Sequence, residues 1–211
     1  MPRATSSPSA SGAESGLALA AGAGYDGALD DEREAWRRLP PWTWPARHVL
    51  GFGAVAIGLC ALWMALDGDD YLRPLDDANL AFHEAGHLIY GVFGDTAALY
   101  GGTLGQLTFP GIAAGVFFVR RDPVGFAVSV SWFGQNLANI ARYVADARAQ
   151  ELPLVGGGDH DWTNILTRWS ALDADQRVAG VFRSLGWILV LASLAWLIIA
   201  WRRARRDTPP A

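Results

Sequence analysis

The stretch HVLGFGAVAIGLCALWMAL, residues 48–66, is nineteen residues long and carries no formal charge when His48 is neutral. A helix needs about 20 apolar residues to cross the hydrocarbon of a bilayer, so this run is the length of one crossing. Four further apolar segments follow it: Ala78 to Phe93, Thr103 to Val119 with an expected interruption at Pro110-Gly111, Val124 to about Val144, and Val181 to Trp201. The last contains Arg183 near its start and stops against Arg202, Arg203, Arg205 and Arg206. The expected fold is an all-α, multi-pass transmembrane helical bundle of about four to five apolar helices over residues 36–206. Residues 207–211 are a short tail.

Upstream, residues 1–35 are Ala, Gly and Ser-rich with few large apolar side chains. They bury too little surface to offset their ordering entropy, and a disordered tail is expected. The short, weakly apolar stretch from Leu17 to Ala23 makes a poor signal peptide. Between Asp31 and Arg47, arginines 33, 37, 38 and 47 surround Trp36, Trp42 and Trp44. Aromatic rings beside arginines suit the membrane–water boundary, while Pro40-Pro41 and Pro45 break any long helix there. Of the 211 residues, 51% are hydrophobic; it is their gathering into runs, with charges clustered between, that separates this chain from a soluble one. All 17 basic residues are arginine and the formal charge is −4, which offers no basic footprint for nucleic acid. The single cysteine, Cys60, excludes an intrachain disulfide framework.

Arginine bias sets orientation. The tail after Trp201, the Arg120-Arg121 turn and the arginines before His48 all read as cytoplasmic. These signals conflict if all five segments cross, and agree if the second segment enters and leaves on one side or stays partly buried in protein. Such backbone is tolerated at depth where it lines a cavity.

That second segment contains His83-Glu84-Ala85-Gly86-His87. Residues four apart share a helix face, so both imidazoles can approach one ion. Zinc accepts imidazole nitrogen, and its catalytic sites use three protein ligands with a fourth position for water. Glu84, next to the first histidine, can take a proton from that water without being a ligand. Gly86 permits close approach of another helix. Ionisable groups inside membrane segments are costly and usually face a functional interior.

The motif, set in an apolar helix of a small multi-pass protein, resembles the membrane-embedded zinc metalloproteases related to site-2 protease. The resemblance covers about a dozen residues. It implies that His83 and His87 bind zinc and that Glu84 activates water. That family draws a third ligand, an aspartate, from a Leu-Asp-Gly-like motif in a later helix, and no good copy of that motif exists in this chain.

Two places could supply the third ligand. His160, in Asp159-His160-Asp161-Trp162 after Gly156 to Gly158, is the favoured one; the glycines could fold it back onto the metal, with Asp161 holding its imidazole or capping the helix that starts at Trp162. Asp146 is the alternative, since Asn139, Tyr143 and Asp146 share a helical face. Asp159 and Asp161 are weaker candidates for direct ligation, and His48 is expected to be merely interfacial. Gly101-Gly102-Thr103-Leu104-Gly105-Gln106 could pair with a substrate strand, with Gln106 as a polar contact, but close helix packing through small residues is the better reading.

The expected function is zinc-dependent hydrolysis of a peptide bond at or within a cell membrane, with a bacterial inner membrane as the setting. Partners would be the lipid bilayer and a transmembrane or juxtamembrane peptide. A non-proteolytic metal-binding membrane protein with a regulatory or scaffolding role, or a metal-dependent lipid or small-molecule hydrolase, is the competing expectation.

Overall fold

A computed structural model describes residues 40–66, 72–73, 75–155 and 159–206, with side chains through Ala204. Contacts divide the chain into Met1–Pro41 and Trp42–Ala211, and every element described here lies in the second unit. The tail expected over residues 1–35, Trp36 and the glycine run at 156–158 lie outside the described residues.

The elements are helical throughout, with no strand among the described residues. They are α1 (Arg47–Leu66), α2 (Leu75–Gly91), α3 (Asp95–Val119), α4 (Pro123–Ala145), the short α5 (Asp161–Arg168), a 3-10 turn at Leu172–Ala174, and α6 (Asp175–Arg206). Three stretches are long and apolar enough to cross a membrane: α1, α3 and Leu172–Ala204.

Helix α1 is apolar on all sides. Leu50, Ile57, Ala61 and Met64 pack inward with Ala127, Val190 and Leu197 from α4 and α6, while Phe52, Val55, Leu59, Leu62 and Leu66 stand exposed on the other face. With buried Gly53 the inward row advances by steps of three and four, as the exposed row does, so one helix presents two apolar faces, as a helix apolar enough to cross a membrane does. Asp122 caps α4, its carboxylate accepting from Val124 N at 3.0 Å and Gly125 N at 2.9 Å, and Pro123 fills the first helical position, where its missing N–H costs nothing. Helices α4 and α6 touch at Gly134 and Gly186, where a Cβ on either would come within 2.7 Å of the other's carbonyl oxygen.

Three boundaries differ from expectation. Helix α3 begins eight residues before Thr103 and runs unbroken through Pro110, which is buried inside it; the one hydrogen bond that proline removes does not end the helix. Helix α6 extends six residues ahead of Val181, held there by the 2.8 Å pair of Arg148 with Asp175. The Gly101–Gln106 stretch is helix, and its glycines serve packing: a Cβ on Gly86 would collide with the carbonyl oxygen of Gly101, and one on Gly105 with that of Phe82. Helices α2 and α3 therefore form an antiparallel hairpin with touching backbones.

At one end of the bundle Trp42 packs against Phe118, Phe126 and Trp196, with ring centroids 5.3–5.7 Å apart, and Arg121 lies over its ring at 5.4 Å. At the other end α5 closes the fold. Eight residues are too few for a helix to persist alone; burial of Trp162, Ile165 and Leu166 against Ile140, Val144 and Ala179 holds it. Full burial of each such side chain contributes about 1.5–3 kcal/mol.

Candidate metal centre

The second helix is anchored to α4 by a buried polar cluster. Asp76 is 2% exposed. Its carboxylate accepts from Leu72 N, from Asn79 Nδ2 at 3.1 Å and from Gln135 Nε2 at 2.6 Å. Trp132 Nε1 donates to Asn79 Oδ1 at 2.9 Å. A buried carboxylate needs such donors to offset its desolvation, and the cluster fixes the rotation of α2 about its axis. Seven and eleven residues further on, His83 and His87 then share the face that meets α3 and the start of α5.

Each imidazole is held from its Nδ1 side. His87 Nδ1 lies 2.8 Å from the carbonyl oxygen of Ala98; a carbonyl only accepts, so that nitrogen carries the hydrogen. His83 Nδ1 donates to Gln106 Oε1 at 3.1 Å, and Gln106 Nε2 donates on to Asn139 Oδ1 at 2.9 Å. In the neutral rings both Nε2 atoms are then bare acceptors. They face each other at 3.1 Å, and Asp161 Oδ2 stands 2.9 Å from His83 Nε2 and 3.2 Å from His87 Nε2. Three lone-pair atoms at this spacing repel unless a proton or a cation lies among them. Bonds of about 2 Å to zinc put tetrahedral neighbours about 3.3 Å apart, close to the three separations observed. These side chains form a group that could hold a metal ion. Gly102 makes room for it: a Cβ there would lie 2.6 Å from His87 Nε2 and closer still to His83 Nε2.

The site faces a cavity of about 1000 Å³, which Glu84, Tyr143, Asn139 and Arg142 also line, together with apolar Trp63 and Leu154. Glu84 is exposed to it.

The structure brings Asp161, rather than His160 or Asp146, to the histidine pair. His160 is the cap of α5, its Nδ1 accepting from Thr163 N at 3.3 Å, so Asp161 is the first helical residue and not the cap. The His160 ring stacks on Tyr143 at 4.1 Å, and Tyr143 in turn meets His83 edge-on at 5.8 Å, which places a phenol ring between the two imidazoles. Asp146 Oδ2 lies 3.4 Å from His160 Nε2, a long contact that leaves this nitrogen without a well-formed hydrogen bond. The Asp146 carboxylate is occupied by Glu151 N at 2.9 Å and Leu152 N at 3.1 Å. Burial lowers the His160 pKa from its ordinary value, against the opposing pull of Asp146. His48 lies at the start of α1, outside this cavity. Tyr143 was visible in the sequence only as a member of the Asn139 face; its hydroxyl oxygen accepts from Asp161 N at 3.2 Å and so holds Asp161 in place.

No family model matches this chain, and no curated protein or solved structure matches it.

Proposed function

We propose that this chain is a membrane-embedded, zinc-dependent peptidase that hydrolyses a peptide bond at or within the membrane. The observation that carries the reading is the convergence of His83 Nε2, His87 Nε2 and Asp161 Oδ2 on one point, with Glu84 beside them in the same cavity. Zinc held there would polarise a scissile carbonyl and lower the pKa of a neighbouring water. Glu84 would accept the proton of that water and return it to the leaving amine. Gln106 and the Ala98 carbonyl keep both rings in the tautomer that presents Nε2, and Tyr143 positions Asp161 through its backbone N–H. Two imidazoles and a carboxylate also suit iron(II); the carboxylate of Glu84, one residue from His83, is what favours hydrolysis.

The helix packing supports four crossings, by α1, α3, α4 and α6, with α2 entering and leaving on one side. Asp76, at the start of α2, bonds to Gln135 midway along α4, whereas His87, near its end, bonds to Ala98 at the start of α3. Helix α2 thus begins halfway along the bundle and returns to one end. This arrangement agrees with the arginine signals: Arg47, Arg120, Arg121 and Arg202 lie toward the opposite end, which charge bias would make cytoplasmic.

The test is Glu84→Gln. The purified variant should keep its zinc, and cells carrying it should lack the new peptide termini near membrane segments that wild type generates. Zinc retained with identical termini in both strains would leave a metal-binding protein without protease activity.

A further inference from the structure

The cytoplasmic end carries a second recess, independent of the metal site. A groove of about 440 Å³ runs between α1 and α6. Phe52, Val55 and Ile198 make it apolar, and His48 and Arg202 stand at its rim. Trp201 forms one wall with its Nε1 turned toward Gly51, since a Cβ there would lie 3.4 Å from that nitrogen. The Arg47 guanidinium sits 4.5 Å over the same indole. Phe52 and Val55 are 72% and 58% exposed, so the groove opens on the surface that α1 offers to lipid.

Among the described residues the charge around it is basic apart from Asp122: this end holds Arg47, Arg120, Arg121, Arg202 and Arg203. Its one carboxylate, Asp122, is engaged by the backbone of α4. An apolar slot with cations and an indole N–H at its mouth matches a phosphate above an acyl chain, and nothing described there would pair with the ammonium of a zwitterionic headgroup. We propose that this groove binds one anionic phospholipid, its phosphate held by His48, Arg202 and the Trp201 N–H and one acyl chain lying along Phe52, Val55 and Ile198.

Native mass spectrometry of the full chain in detergent tests this, with phosphatidylglycerol and phosphatidylcholine of identical acyl chains as probes. Wild type should retain one phosphatidylglycerol in preference to phosphatidylcholine. Arg202→Gln should weaken phosphatidylglycerol about fivefold, the effect of one basic residue near an anionic surface, and weaken the net-neutral phosphatidylcholine less. Val55→Trp, at an exposed position, fills the slot without changing charge and should weaken both. Equal retention of the two lipids by wild type would overturn the proposal, as would phosphatidylglycerol retention untouched by both substitutions. Displacement of the lipid by millimolar inorganic phosphate alone would overturn it too, because the site would then hold free phosphate.

Discussion

The two ends of this bundle use charge in opposite ways. At the end where α1 starts and α6 stops, Arg47, Arg120, Arg202 and Arg203 are exposed, and aromatic rings lie beneath Arg47 and Arg121, as with Arg47 over Trp201. At the other end, His83, Asp146, His160 and Asp175 are buried, and each ring of the His83–His87 pair has a fixed hydrogen-bond partner behind it. Outward charges orient a protein at a surface and are individually dispensable. Inward charges, taken out of water at a cost, persist when they are paired or hold an ion.

Substitutions at the two ends should differ accordingly. The largest effect is expected from Gly102→Ala, whose methyl group falls among the donor atoms: zinc measured by mass spectrometry should drop to background while the helical circular dichroism remains. Next comes pH. Protons compete with a metal ion for imidazole nitrogen, so zinc occupancy should fall in acid and recover as pH rises again; equal occupancy at pH 5 and pH 8 would remove the histidines from the site. Gln106→Ala should be milder, raising the zinc dissociation constant about 10–100-fold, as loss of a partner behind a ligand does. Smallest is Arg203→Gln, exposed at the arginine end, which should shift unfolding by under about 0.5 kcal/mol and leave zinc content untouched.

Much of the helical architecture was legible because apolar runs report length directly, and the His83–His87 pair was legible because a spacing of four means one helix face. Pro110 misled because the cost of a proline inside a helix is local, and a helix packed on both sides absorbs it. The place of Asp161 beside the histidines could not be read for a different reason. Asp161 reaches His83 across 78 residues, through a turn whose course depends on Asp146 gathering Glu151 N and Leu152 N. The sequence favoured His160, and the structure brings its neighbour Asp161 to the histidine pair. His160 and Asp161 differ by one position at a helix start, so their side chains diverge by about 100°, and the capping role turns the imidazole toward Thr163. Gln106 stood in a glycine stretch that the sequence already favoured as packing over strand pairing, and the contact of Gly86 with Gly101 agrees with that reading.

The central claim is that two imidazoles and the carboxylate of Asp161 hold one zinc ion. Elemental analysis of the detergent-purified full chain beside Asp161→Asn and His160→Asn tests it most directly, because the first removes a negative donor without changing shape and the second keeps a side chain able to cap α5. The account predicts about one zinc per chain in wild type and in His160→Asn, and background zinc in Asp161→Asn. Wild type free of zinc, or zinc lost from His160→Asn and kept by Asp161→Asn, would contradict it.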